Sequence, residues 1–350
     1  METARVPMVK FDDMANAALT LIAFAVFSGS STDRLGDRLG GISSVRWDDR
    51  RRELLAVSDR GPADGTVPYS PRYHAFKVRR DGAKLDMRLE RTVVFLDEQG
   101  RPFTGLSEST GSRLDSEGLA VASDGSLYVA EEYGPSVLHF HRDGRLIERI
   151  APPDHYRPGA GRGREDNRGF EGLCLTPDGR RLAALLQSPL LQEGGRTGPR
   201  TRLVVWDQPF ASATAREFSV DMPRLDGLAS REFSYNELEA FGPEEFLLLE
   251  RDGRGAGEDT PTERPVYKRI ARLELKADGT TSRRPFADIL EALARHGWDI
   301  LTLPPKFESL AWGAAVGGKR TLWIAVDNDF EPRLQTVFLL FRTGESVIRN

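Results

Sequence analysis

Along the chain, short apolar runs alternate with turn residues, and acids stand at the ends of the runs. The clearest instance is Asp115–Pro135, DSEGLAVASDGSLYVAEEYGP. It opens on Asp115 and Glu117, carries apolar runs at Leu119–Val121 and Leu127–Ala130 joined by Asp124–Gly125, and closes on Glu131 and Glu132. Two short β-rich runs joined by Asp-Gly predict a hairpin. In a hairpin the start of the first strand and the end of the second share one edge, so the opening and closing acids are brought together.

The pattern recurs. Asn167–Pro189 repeats it, with Glu171 matching Glu117 and Asp178–Gly179 matching the turn; Tyr235–Asp252 and Lys306–Phe330 are further copies. The earliest copy, Gly40–Pro62, keeps the apolar pattern but has Ser43 where the others are read to have glutamate. Copies at unequal spacings of roughly 50–75 residues indicate a propeller or a solenoid. Between them lie further strand pairs: Tyr73–Arg79 with Leu85–Phe95, Val137–Arg142 with Leu146–Ile150, Arg202–Trp206 with Ala215–Val220, and Val266–Leu275 with Thr281–Pro285. About four strands per unit is the size of a propeller blade. The last copy has a single further strand, Thr336–Phe341, and its missing partner is expected from Leu19–Phe27 at the other end of the chain. The expectation is therefore an all-β, five-bladed β-propeller closed by an N-terminal strand, with six blades as the alternative. Residues 1–17 are read as an extension and 18–350 as a single domain.

Composition changes this picture little. With 350 residues, 39% of them hydrophobic and 29% charged, the chain can bury a large core. A net charge of −4 and the lack of basic runs interleaved with aromatics argue against nucleic-acid binding. The single cysteine, Cys174, falls within a strand and reads as a buried thiol. The run Ala15–Phe27 resembles a signal-peptide core but is too short to span a bilayer; Asp12 and Asp13 precede it, and a mature strand is the preferred reading. A monomer is expected.

The long connections, rich in Gly, Pro and Arg, fall on the rim that carries the acids, where binding and catalysis concentrate. One of them holds a short amphipathic helix, Ile289–His296, with Leu290 and Leu293 inward. Glu117, Glu171, Glu237 and Glu308 should begin the innermost strands and converge at the mouth of the axial channel. A second set, Asp59, Glu132, Glu250 and Asp327, with Gln187 in the third unit, should end the neighbouring strands. Crowded carboxylates must be protonated, paired or bound to metal. With oxygen ligands alone on offer and the histidines scattered, a hard ion is expected, calcium before magnesium, held by Glu117, Glu171, Glu237, Glu308 and Asp59. Arg60, Arg168, Arg251 and Lys306 are the candidates for holding an anionic substrate; the competing reading pairs these cations with the acids. Catalytic roles are expected for Arg60, Glu132, Arg168 and Asp327. No G-x-S-x-G, P-loop, H-E-x-x-H or G-x-G-x-x-G after a strand is present, and Ser43 and Ser44 lack an obvious histidine partner.

The succession SDRG, DSEGLA, NRGFEGL, LLLERD and FESLAW…VDNDF, ending in QTVFLLFR, resembles the phytase-like propeller family described as having esterase-like activity of phytase. The resemblance runs from about Leu19 to Phe341, and more distantly the chain looks like the calcium-dependent lactonase and gluconolactonase propellers. It implies a secreted or periplasmic propeller whose acidic channel binds calcium and hydrolyses phosphate or carboxylic esters. Ser43 and Gln187 depart from the acidic pattern, and without a recognisable signal peptide a cytoplasmic location stays open. A non-catalytic propeller that binds a ligand or partner, with calcium as a structural ion, is the other function class.

Overall fold

Apolar runs of five to twelve residues with turn residues between them fold here as strands, in units of four. The computed structural model describes residues 18–109, 111–212, 214–256 and 263–346; the expected extension 1–17 lies outside the described residues. The chain opens with β1 (Leu19–Ser28). The first unit is β2 (Ile42–Asp48), β3 (Glu53–Ser58), β4 (Arg72–Asp81) and β5 (Lys84–Val94). The second is β6 (Ser116–Val121), β7 (Leu127–Glu131), β8 (Ser136–Phe140) and β9 (Leu146–Ile150), and the third β10 (Phe170–Leu175), β11 (Arg181–Leu186), β12 (Arg200–Asp207) and β13 (Arg216–Asp221). The fourth is β14 (Phe233–Ala240), β15 (Glu245–Asp252), β16 (Lys268–Leu275) and β17 (Thr281–Asp288), and the last has β18 (Lys306–Val316), β19 (Lys319–Asp327) and β20 (Gln335–Ser346).

Within each unit consecutive strands pair antiparallel. The Asp-Gly pairs do what their chemistry allows: at Asp124–Gly125 the carboxylate accepts from Ser126 N at 2.9 Å, and Gly125 takes φ 92°, a left-handed value that other residues adopt at a cost. The last unit is completed by β1, which pairs antiparallel with β20 from Leu19↔Thr343 to Ser28↔Gln335. On its other side β1 touches β5 in parallel at Phe24↔Lys84, so the last and first units form one eight-stranded sheet.

The first strands of the units, β2, β6, β10, β14 and β18, pack each against the next, and β18 against β2. Apolar clusters fill the spaces between neighbouring units. Val57, Tyr73 and Phe95 meet Leu119 and Val129; Ala130 and Val137 meet Phe170 and Val204; Leu185 and Val220 meet Leu238 and Leu273. Leu249 and Ile270 then meet Leu310 and Ile324, and Ala325 and Phe338 meet Val45 and Phe76 of the first unit. Each of the larger apolar side chains among them, fully buried, contributes about 1.5–3 kcal/mol, so adjacent sheets hold one another in place by many modest terms. The expected helix forms at Ile289–Arg295, capped by Asp288, whose carboxylate accepts from Glu291 N at 3.0 Å; Ile289, Leu290, Ala292 and Leu293 are buried. Among the described residues, no helix is long and apolar enough to cross a membrane.

The axis between the first strands is plugged by a side chain. Arg46, on β2, donates to the carbonyls of Leu310 at 2.8 Å, Leu173 at 2.6 Å and Leu238 at 2.9 Å, and to the Glu237 carboxylate at 3.0 Å. A buried guanidinium with this many acceptors ties strands from four units together.

Candidate active site

Each first strand carries the same irregularity near its start. The register with the second strand slips between Ile42 and Ser44, Ser116 and Leu119, Phe170 and Gly172, Tyr235 and Glu237, and Phe307 and Ser309. A bulge inserts an extra residue and re-aims its side chain. The residues in these slips are Ser43, Glu117, Glu171, Asn236 and Glu308, and they turn toward a common depression at one end of the axis. The Glu-Gly pairs follow from packing: a Cβ on Gly118 would sit 2.6 Å from Glu171 O, and one on Gly172 2.6 Å from Leu238 N, so glycine lets the next first strand approach.

The depression, about 300 Å³, is lined by Ser43, Glu117, Glu171 and Glu308 from the bulges and by Asp59, Glu132, Gln187, Arg251 and Asp327 from the ends of the second strands. Arg60, Asp64, Asn167, Arg168, Lys306 and Asp329 complete the rim. Of the residues expected here from sequence, Glu117, Glu171, Glu308, Asp59, Glu132, Asp327, Arg60, Arg168, Arg251 and Lys306 are thus brought together. Glu237 is not. It occupies the position after the bulge, equivalent to Gly118 and Gly172, and its carboxylate turns down the axis to Arg46, Ser44 and Leu173 N. The bulge position of the fourth unit belongs to Asn236. The same one-residue offset removes Glu250, which bonds Tyr267 at 2.8 Å and Arg283 away from the mouth, and puts Arg251 at the strand end.

The mouth is a network with gaps. Asn236 Nδ2 donates to Glu171 Oε1 at 2.9 Å and to Glu308, while Arg251 donates to Glu308 at 3.0 Å. Gln187 donates to the same Oε1 of Glu171, leaving Glu171 Oε2 buried without a partner. Arg60 is clamped by Asp115 at 3.0 Å, by Asp64 at 3.0 Å and by Asn167. Lys306 pairs with Asp329 at 2.6 Å. Arg168 has neither ion pair nor hydrogen bond for its guanidinium among the described residues. Oxygens of Asp115, Glu117 and Glu132 lie within 4.8 Å of one another.

Electrostatics follow from this crowding. Burial, then Glu171, Asp115 and Glu132, push the Glu117 carboxyl well above the ordinary range. Burial, Glu132 and Glu308 do the same to Glu171 against the opposing pull of Arg251 and Arg168. Asp59 is raised by burial with Asp115 and Asp327, despite Lys306. Burial and Asp115 raise Glu132 to about 8, and burial raises Asp327 to about 6 with Lys306 opposing. Burial alone would lower the Lys306 ammonium; Asp329, Asp59, Glu308 and Asp327 outweigh it and hold the pKa up.

Asn167, Asn236, Asp64 and Asp329 are the contributors that reading by residue type overlooked. Asp115, read from the sequence as an opening acid brought together with the closing ones, does meet Glu132, though its role in holding Arg60 was not assigned, and Asp329 belongs to the VDNDF string. Asn236 gives no such signal, since an acid follows it directly.

A family model described as phytase-like, esterase-like activity of phytase, matches residues 37–330. A curated relative, an uncharacterized secreted protein of Arthroderma benhamiae, is 28% identical over 353 aligned positions, covering 75% of this chain and 68% of the relative. Among solved structures, a luciferin-regenerating enzyme aligns at 9% identity over 89% of this chain and 96% of its own, with TM-score 0.45. A gluconolactonase from Xanthomonas campestris aligns at 14% identity over 90% of this chain and 89% of its own, with TM-score 0.37.

Proposed function

The chain belongs to the phytase-like family, and from that premise we propose that it is a calcium-dependent hydrolase of phosphate or carboxylic esters, working at the acidic mouth of a single five-bladed β-propeller domain. The observation that carries this reading is the convergence of carboxylates from four units on one depression with more negative than positive side chains, where Glu171 keeps a buried, unpartnered oxygen. An all-oxygen donor set of this kind fits a hard divalent cation. Glu117, Glu171, Glu308 and Asp59 would hold it, with Asp115 and Glu132 beside Glu117; magnesium fits less well. The ion would supply positive charge next to a phosphoryl or carbonyl oxygen.

The chain's own groups do the rest. Arg60 is pre-oriented by Asp115 and Asp64, and the Arg168 guanidinium has no other partner among the described residues, so the two can grip an anionic group from two sides. Arg251 and Lys306 bound the same space. Glu132 and Asp327 are the carboxyls placed to orient or deprotonate a water. The relative's secreted label supports an exported protein. The test is a panel of a phosphomonoester, an aryl ester and a lactone, assayed with and without calcium. Calcium-dependent turnover of either ester supports the reading, lactone turnover alone moves it to the gluconolactonase type, and no turnover of any of them assigns the mouth to ligand binding.

A further inference from the structure

The end of the axis opposite the mouth carries a repeat of its own. Four residues beyond the residues in the slips stand Trp47, Val121, Leu175, Ala240 and Trp312, one from each first strand, and together they wall a depression of about 330 Å³. Arg46 lines it from the axis, its donors spent on the plug between the two ends. The two acids of this depression are already engaged. Glu239 accepts from Ala240 N at 3.0 Å and from Trp312 N at 3.1 Å, and Asp49 accepts from the Trp47 indole N–H at 2.7 Å. Arg320 is not engaged in this way. Its guanidinium lies over the Trp312 ring at 3.5 Å, with the Phe241 ring at 4.9 Å, and among the described residues it has neither hydrogen bond nor ion pair. Burial, joined by Arg272, holds its pKa below the ordinary arginine range against the opposing pull of Glu239 and Glu345.

A guanidinium seated on a ring face keeps its N–H donors at its edge, in the fork that matches a carboxylate. Because burial disfavours this charge and no protein acceptor meets it, an anion bound there would stabilise it. The walls decide which anion. Trp47, Trp312, Val121 and Leu175 offer flat or apolar surface against which a ring packs. A phosphate dianion would face Glu239 and Asp49 with Arg320 as the one unpaired cation among the described lining residues, so a single negative charge on an apolar body fits better. The volume lies in the small-molecule range. We propose that this depression is a binding site for a small aryl carboxylate, its ring against the indoles of Trp47 and Trp312 and its carboxylate on Arg320. Arg46 and Glu237 fill the axis between this site and the mouth, so the inference stands apart from the ester chemistry proposed there.

The test uses the full chain, with benzoate titrated by calorimetry beside acetate, which keeps the charge without the ring, and benzyl alcohol, which keeps the ring without the charge. The wild type should bind benzoate with a Kd of about a millimolar or tighter, and the other two at least about tenfold more weakly. Arg320→Gln should weaken benzoate about tenfold or more, and Arg320→Lys, which keeps the charge and loses the fork, several-fold. Trp47→Leu should also weaken it several-fold, and thermal melts check that each variant is folded. Arg168→Ala, at the opposite end, should bind benzoate as the wild type does. No benzoate binding by the wild type, or the same affinity in a folded Arg320→Gln, overturns the site. Acetate binding as tightly as benzoate overturns the ring-bearing class of ligand. Binding lost in Arg168→Ala and kept in Arg320→Gln places the carboxylate at the mouth and overturns the proposal as well. The preference of the wild type for benzoate over both probes, with Arg168→Ala unchanged, decides the matter should a substitution at Arg320 fail to fold.

Discussion

His74 shows how one buried side chain sets a pH limit. It is fully buried on β4, bonded to Ser58 Oγ at 3.0 Å and Thr92 Oγ1 at 3.1 Å, and burial lowers its pKa to about 4. The unfolded chain holds an ordinary imidazole near 6.5 and binds a proton earlier, so the stability owed to neutral His74 is present above about pH 6.5 and is lost as pH falls toward 4, on the order of 3 kcal/mol. His74→Gln should therefore flatten the acid limb of a denaturation-midpoint series between those values; parallel limbs in variant and wild type would sink the assignment. At the mouth, Glu171 and Arg168 separate in kinetics. An ion-holding carboxylate acts on charge that develops in the transition state, whereas a guanidinium also grips the ground state. Glu171→Gln is expected to lower kcat by about tenfold or more with little change in KM, and Arg168→Ala to raise KM as well. If Arg168→Ala shifts the melting temperature and leaves both constants alone, its role is to hold the loop.

The first strands carry both the site and the plug, and a single residue step decides which. In the second and third units the bulge holds glutamate and the next position glycine; in the fourth the bulge holds Asn236 and the next position Glu237. The strands, the Asp-Gly turns, the closing strand and the helix were legible because apolar periodicity and turn chemistry are local. The registers of β14 and β15 were not, because matching by residue type selects the acids Glu237 and Glu250, whereas the backbone ladder fixes which side chain is re-aimed. The consequence is testable at the level of the element. Arg46→Met leaves Glu237 buried without its cation and strips donors from the carbonyls of Leu173, Leu238 and Leu310, which should cost about 3–5 kcal/mol. Adding Glu237→Leu should recover part of that loss. A urea midpoint for Arg46→Met close to that of the wild type would show that the axis is held by the apolar clusters alone.

At the scale of the whole molecule, two devices tie distant parts of the chain together. The first is the mouth, where acids from separate units meet, so the proposed ion, if bound only by the folded chain, would stabilise all of them at once. At one hundred times its Kd it would add about 2.7 kcal/mol. A chelator should lower the melting temperature and calcium restore it; Glu171→Gln should blunt that response, while Glu237→Gln, whose carboxylate faces Arg46, should keep it. Melting indifferent to calcium in the wild type would remove the ion from the account. The second device is β1. It lies between β20 and β5, and its Leu19 and Ala23 sit in the two apolar clusters on either side of the last unit. Without β1 the long strand β20 would present its unpaired N–H and C=O groups to solvent, the geometry that recruits strands from other chains. Deleting residues 1–28 is therefore expected to lower the melting temperature and to produce oligomers, seen by light scattering, and a peptide spanning Leu19–Ser28 added in trans should reverse both in part. The apolar contacts of Phe24 with Trp298 and of Phe27 with Phe338 make that rescue depend on side chains as well as on the ladder. A peptide with Phe24 and Phe27 changed to serine should then rescue poorly. A truncated chain that stays monomeric and melts like the wild type would mean that the units hold together without the strand from the opposite end of the sequence.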